Sequence, residues 1–258
     1  PYMVEDAIRS APSKLFLAGR NPKNDIVLEN NRVAFTTFGV GVSMVDPYTG
    51  VLREPTKKDV ASSALLSDYL SGVDVYERAI DAQDVPAESA QLHNAEAWLS
   101  NTTKHGFMGP FSGYQLKKIV EIAAAVVGGK EKLKERPIVS FITCPVSPLK
   151  LIQDTCEIIM ESARSGIALN ILSMAMAGAS APVTLAGTLV GHNAEVLSGI
   201  VLSQSTCKGA PVVYGSSTTA MDLRFATAPV GSPECAMISA AVARLARYYS
   251  LPCFVAGG

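Results

Sequence analysis

Two loops concentrate the groups that could handle a ligand. Tyr214-Gly215-Ser216-Ser217-Thr218-Thr219 sets an aromatic ring and four hydroxyls at one lip. Met174-Ala175-Met176-Ala177-Gly178-Ala179-Ser180 faces it with soft thioethers and flexible backbone. Such walls suit a small alkylammonium cation, which ring faces attract, or a large flat cofactor carried by a partner. Packing is the plainer reading of Met174 and Met176. The remaining strand-end positions are Asp81, Asp84, Phe107, Met108, Cys144, Pro145 and Ala256 to Gly258. They supply no lysine for a Schiff base, no Ser-His pair in a tight elbow and no carboxylate pair at matched spacing. His192, in the helix expected from Pro182 onward, reads as a hydrogen-bonded structural residue beside Asn193 and Glu195. Asp222 and Arg224 read as an ion pair bracing the hydroxyl-rich loop, and Trp98, the lone tryptophan, as core packing.

Composition narrows the classes that could carry these loops. The 258 residues are 48% hydrophobic and 17% charged, enough to bury a large core and suited to an α/β enzyme or a large assembly. A net charge of -1 leaves no basic face for nucleic acid, and Lys130 to Arg136 mixes both signs as a solvated helix end. Ser165 to Val190 carries no formal charge, but Asn170, Ser173, Gly178, Ser180, Pro182 and Gly187 interrupt it, so a buried strand and helix are expected rather than a membrane span. The five cysteines, Cys144, Cys156, Cys207, Cys235 and Cys253, are scattered and read as reduced cytoplasmic thiols. Neither they nor His93, His105 and His192 have the convergent spacing of a metal site.

The elements that position the loops follow a βα rhythm. Val4 to Arg9 reads as a helix, and Leu15 to Ala18, Asp25 to Leu28 and Val33 to Phe38 as a small antiparallel cap, giving an N-terminal region of residues 1–55. From Thr56 a helix runs to about Leu70. Strands are expected near Val73 to Ile80, Gly106 to Met108, Ile138 to Thr143, Ala168 to Ser173, Val212 to Tyr214 and Cys253 to Ala256. Helix starts are expected at Ser147-Pro148, at Ser180-Ala181-Pro182 and at Ser232-Pro233-Glu234. Strand spacing of roughly 30 to 43 residues is the size of one βα unit. Gly39-Val40-Gly41-Val42-Ser43-Met44 lacks a third glycine and a following helix, so a dinucleotide loop is not expected. The fold predicted is α/β, a TIM-type (β/α)8 barrel, with residues 56–258 its first six βα units, about two short of closure. The chain opens on Pro1 and stops at a strand leading into Gly257-Gly258, so it is expected to be trimmed at both ends.

Longer segments carry a resemblance. Asn170 to Gly178, Pro182 to Val190, His192 to Leu197, Tyr214 to Thr219, Ala228 to Glu234, Leu251 to Gly258 and, near the start, Leu17 to Pro22 resemble the trimethylamine methyltransferase family. The resemblance implies a barrel enzyme that passes a methyl group from a methylamine to the cobalt(I) of a cognate corrinoid protein, as in methylamine-dependent methanogenesis or related methylotrophy. No cofactor would be bound directly, the corrinoid being supplied by that partner. In the trimethylamine branch the position after the family's Val-Ala-Gly segment is pyrrolysine, which would be position 259, directly beyond Gly258. Its imine would hold a neutral amine through nitrogen, and a methyl departs readily only from a positively charged nitrogen. The residues expected around the amine are Tyr214, Ser216, Ser217, Thr218, Met174 and Phe107, with the backbone of Gly257 and Gly258 presenting position 259. The alternatives are a betaine-type methyltransferase without pyrrolysine and a non-catalytic barrel scaffold. A cytoplasmic homo-oligomer, without nucleic-acid or membrane partners, is the expected assembly.

Overall fold

A computed structural model describes residues 2–29 and 32–257. In chain order the main elements are α1 (Tyr2–Ser10), β1 (Leu15–Leu17), β2 (Ile26–Leu28), β3 (Met44–Val45), β4 (Leu52–Arg53), α2 (Lys57–Tyr69), β5 (Val75–Glu77), α3 (Ala90–Asn101), β6 (His105–Met108), α4 (Gly113–Val127), α5 (Lys130–Glu135), β7 (Val139–Thr143), α6 (Gln153–Ser165), β8 (Leu169–Ser173), β9 (Met176–Ala177), α7 (Leu185–Thr206), β10 (Val212–Ser216), β11 (Thr219–Ala220), α8 (Pro233–Tyr248) and β12 (Cys253–Val255). They form two compact units, one of residues 16–28 and 32–141, the other of residues 2–15, 29 and 142–257.

In each unit the strands of the larger sheet follow chain order, β5-β6-β7 in the first and β8-β10-β12 in the second, the boundary between units falling within β7. β5 pairs with β6, β6 with β7, β8 with β10 and β10 with β12, all in parallel. An order that never reverses is the topology of a singly wound βα array, whereas a doubly wound sheet switches direction partway. The short apolar runs form strands because helices cover them: β7, β8 and β10 are almost wholly buried.

In the first unit, Thr56 caps α2 through a capping box with Asp59, and Arg53 ties Asp59 to Asp46 of the β3–β4 turn. Trp98 of α3 is fully buried against Gly106, where an added Cβ would collide with the indole. His105, also fully buried, joins the carbonyl oxygen of Pro137 (3.0 Å) to the hydroxyl of Ser140 (2.9 Å). The N-terminal cap is only partly as expected. β1 and β2 form a two-stranded sheet, but Val33 to Phe38 is not a cap strand. Residues 35–41 run parallel to the edge of β5, through bridges Thr36 to Val75 and Gly41 to Ile80 and through Thr37, whose hydroxyl accepts from the Glu77 amide. An edge strand with unpaired amides is a stronger template than a two-residue ladder.

The second unit corrects two helix starts. α6 begins at Gln153 rather than Ser147, because the Ser147 hydroxyl is engaged by Glu195 while Val146 and Lys150 close a bridged turn. α7 begins at Leu185 with Thr184 as its cap, because the Ser180 hydroxyl accepts instead from the amide of Met176. Ser232 and Pro233 start α8 as expected, the serine hydroxyl accepting from Cys235. α7 is long and apolar enough to cross a membrane by length and composition, yet it packs on β8 and β10 with His192 and Glu195 buried.

Candidate functional site

The carboxyl ends of β8 and β10 meet side by side in the second unit, Ser173 opposite Ser216 in register. Alternation along a strand sends successive side chains to opposite faces. Ile171 packs on Gly199 of α7, which fixes Ile171, Ser173, Tyr214 and Ser216 on the face toward that helix. Asn170, Leu172, Val213 and Gly215 point the other way. There Gly215 leaves room for the Asn170 carboxamide, whose Oδ1 is buried and has no partner among the described residues.

A polar chain runs behind the two strand ends. Glu195, 2% exposed, accepts from the Ser173 hydroxyl at 2.6 Å, the Ser147 hydroxyl at 2.9 Å and the Leu149 amide at 2.9 Å. One turn earlier on α7, His192 Nδ1 lies 2.9 Å from the Thr218 hydroxyl, which donates to the Ser173 carbonyl oxygen. That hydroxyl therefore accepts from Nδ1–H, the tautomer that leaves Nε2 as a bare acceptor, buried and unpartnered. Burial holds His192 neutral, its pKa pushed down to about 4. Three loops are thereby pinned to one helix: residues 147–149 after β7, the turn after β8 and the turn after β10. The last two are also zipped by the parallel β9–β11 pair, Met176 opposite Thr219.

The predicted ligand residues fall into distinct places. Tyr214 is not at the lip: it is fully buried, donating to Asn193 Oδ1 at 2.7 Å and packing against Tyr249 and His192. Burial pushes its phenol well above the usual range. Ser216 and Thr218 are buried too, the Ser216 hydroxyl accepting from the Thr218 amide. Met174, at 53% exposed, and Gly257 stand at the surface, and Ser217 is half-buried with its amide bound to the Ser173 carbonyl. Ala256 joins the same edge, its amide donating to the Ser216 carbonyl and its own carbonyl accepting from Ser239. Gly258 and the position after it lie outside the described residues. Phe107 belongs to the first unit, where the register puts it beside Glu77 on one side and Ser140 on the other. Asp222 and Arg224 form the expected ion pair at 3.0 Å, on the surface.

Sequence reasoning passed over Ser147, Ser173, Asn170 and Glu77, and gave Glu195 no part to play. One signal was present for Glu195: it lies three residues after His192, on the same helix face.

The trimethylamine methyltransferase (MTTB) family matches residues 1–258. The chain is 56% identical to trimethylamine methyltransferase MttB of Desulfitobacterium hafniense, over all of this chain and 52% of that protein. It is 46% identical to the protein of the same name from Methanosarcina barkeri, over 99% of this chain and 53% of that one. A glycine betaine methyltransferase of Desulfitobacterium hafniense is 37% identical, over 99% of this chain and 53% of that protein. The chain thus spans about half the length of the curated relatives it matches. A dihydropteroate synthase from Thermus thermophilus is similar at a TM-score of 0.44 and 14% identity, over 93% of this chain and 92% of that one. That likeness is too slight to bear on the fold, which rests on the strand order.

Proposed function

This chain belongs to the trimethylamine methyltransferase family, and on that premise we propose that it is part of an enzyme moving a methyl group from trimethylamine to the cobalt(I) of a cognate corrinoid protein, with release of dimethylamine. The identities carry this reading: 56% and 46% to two proteins named for trimethylamine, against 37% to one named for glycine betaine. The corrinoid protein is the methyl acceptor and supplies the nucleophile. In the whole protein the singly wound array closes as an eight-stranded barrel, with position 259 carrying the imine that takes up the amine. The protein works in the cytoplasm as a homo-oligomer and serves methylamine-dependent methanogenesis or a related methylotrophy.

The roles of this chain's residues follow from their placement. Met174, Ser217 and Gly257 give an uncharged rim, which fits a large flat ring system brought by another protein. Ser173, Thr218, His192 and Glu195 hold the loops behind that rim at fixed spacing, so that donor and acceptor meet in one geometry. The Ala256 amide anchors the chain leading to position 259.

The test uses full-length enzyme, a cobalt(I) corrinoid protein and trimethylamine, followed by the cobalt absorption change and by quantifying dimethylamine. Methylation of the corrinoid with one equivalent of dimethylamine is expected. Failure with trimethylamine overturns the proposal, and transfer from glycine betaine instead would assign the chain to quaternary amines.

A further inference from the structure

Glu77 is a buried carboxyl that nothing above employs. It is the last residue of β5 and 7% exposed, and its Oε2 is buried with no hydrogen-bond partner among the described residues. The parallel register sets Glu77 beside Phe107 and Phe107 beside Ser140, so a carboxyl, a ring and a hydroxyl form a row on one face of three strands. Glu77 and Phe107 are at the carboxyl ends of their strands, where ligands meet parallel α/β sheets.

The hydrogen bonds of the charged groups around Glu77 go elsewhere. Arg78 falls on the opposite face by alternation, where its guanidinium donates to Gln91 and lies 3.4 Å from Asp81. Asp81 also accepts from Asn94. Tyr76 shares the face of Arg78 and bonds Ser63 of α2. Just before β6, Lys104 donates to the carbonyl oxygens of Ser67 and Leu70, and at its start burial keeps His105 neutral. Asp74 is held by the Phe35 amide, and residues 35–41, which cover the edge of β5, contain no titratable side chain. Among the described residues none donates to the Glu77 Oε2; Arg78 acts on this carboxyl only as a charge from the opposite face, and an aromatic ring stands next to it. That pairing is the recognition chemistry of an alkylammonium ion: a counter-charge and a ring face in a desolvated place.

Resting on the reading of trimethylamine as substrate, we propose that Glu77, beside Phe107, takes up the amine as the trimethylammonium ion and accepts its proton. In this step the N–H bond breaks, its electron pair stays on nitrogen as the lone pair, and an O–H bond forms on the carboxylate. The product is neutral trimethylamine, the form that can bond an electrophile through nitrogen. Burial lifts the Glu77 carboxyl to about 8, Arg78 opposing, so below that pH the empty site holds a neutral carboxyl; the step runs through the carboxylate, whose share grows toward pH 8 and which is a stronger base than a solvated one.

The test has a kinetic arm and a binding arm, both on full-length protein. In the first, kcat and KM for trimethylamine are measured from pH 6 to 9 for the native enzyme, Glu77→Gln and Glu77→Asp, with the corrinoid protein in excess. Glu77→Gln is expected to lower kcat/KM roughly 100-fold near pH 8, where the native carboxyl is about half ionised, to differ less at pH 6, where that carboxyl is protonated, and to regain activity toward pH 9 as the free amine deprotonates in solution. Glu77→Asp should restore part of the rate near pH 8. An unchanged rate and pH profile in Glu77→Gln overturns the proposal. In the second arm, calorimetry follows binding of tetramethylammonium, which has the charge but no N–H. At pH 8.5, where the native carboxyl is mostly ionised, at least tenfold weaker binding by Glu77→Gln is expected, and equal binding overturns the proposal. Because the second arm needs no methyl transfer, native protein that binds the cation through Glu77 yet transfers nothing from trimethylamine would overturn the trimethylamine reading while keeping Glu77 as the counter-charge of an alkylammonium ion.

Discussion

Replacing Glu77 with glutamine should stabilise the protein, and increasingly so as pH rises. The carboxyl ionises near 4.5 in an unfolded chain but at about 8 in the fold, because burial penalises the anion. Between those values the unfolded state has released a proton that the folded state keeps, so folding is progressively opposed as pH rises from about 4.5 to 8. With about 1.4 kcal/mol for each pKa unit, the opposition amounts to about 1 kcal/mol at pH 5, about 3 at pH 7 and about 4 at pH 8. Glutamine has nearly the same shape and does not titrate. Any fixed cost of housing its amide is the same at every pH, so the difference between variant and native protein should climb by about 3 kcal/mol from pH 5 to pH 8. His105 and His192, whose pKa values are pushed down to about 4, act in the other direction, since stability is lost as pH falls from about 6.5 toward 4. They are present in both proteins and cancel. Urea unfolding at four pH values, with equal m values as the check on two-state behaviour, gives the difference directly. A difference that does not change with pH would refute the reasoning, for it would mean that the Glu77 carboxylate is ionised in the fold with little penalty.

Three further changes probe the packing behind the strand ends. Glu195→Ala strips the acceptor from the Ser147 and Ser173 hydroxyls and the Leu149 amide, and should cost about 2 to 5 kcal/mol, most of it from the amide, which cannot rotate to another partner. A loss under about 0.5 kcal/mol in urea midpoints would show that the three donors do not depend on it. Gly106→Ala puts a methyl group into the face of Trp98 and should destabilise by about 1 to 3 kcal/mol with a changed tryptophan emission, since the indole must move. Tyr214→Phe removes the hydroxyl that donates to Asn193 while keeping the ring between His192 and Tyr249, and a loss of about 1 kcal/mol is expected. A loss approaching the 3 to 5 kcal/mol of a deleted aromatic side chain would mean that the hydroxyl, not the ring, holds this part of the core.

The strands were legible because their type needs no partner to be recognised: Ile138 to Thr143 and Ala168 to Ser173 are apolar runs between helical patterns, and each holds its strand within a residue. The direction of their side chains was not. A strand with helices on one face and a filled interior on the other is apolar on both, so alternation in the sequence carries no polarity from which to choose a face. Tyr214 was assigned to a lip for its position at a strand end, yet its parity with Ile171 commits it to the helix side. Helix starts failed for a related reason. A serine before proline is an N-cap only if its hydroxyl is free to be one, and at Ser147 and Ser180 that hydroxyl is claimed by Glu195 and by Met176. Thr184 has no such competitor, and it caps α7.

The two buried carboxyls show how satisfaction of hydrogen bonds separates scaffold from chemistry. Glu195 receives three donors from two different segments, residues 147–149 and the end of β8, so its oxygens are filled by a finished set of bonds and its work is to hold those segments together. Glu77 is buried nearly as deeply, but its Oε2 has no donor among the described residues, and the Arg78 guanidinium donates on another face. An unsatisfied carboxyl at such depth opposes folding, and it is tolerated where a bound cation recovers the cost. From the sequence the two are indistinguishable: Glu77 stands beside an arginine and Glu195 sits near a histidine. The difference lies in parity and register, which give Arg78 to Gln91 and Asp81 while setting Phe107 next to Glu77. Of the two acids, the one left incomplete by its own fold is therefore the one to expect at the amine.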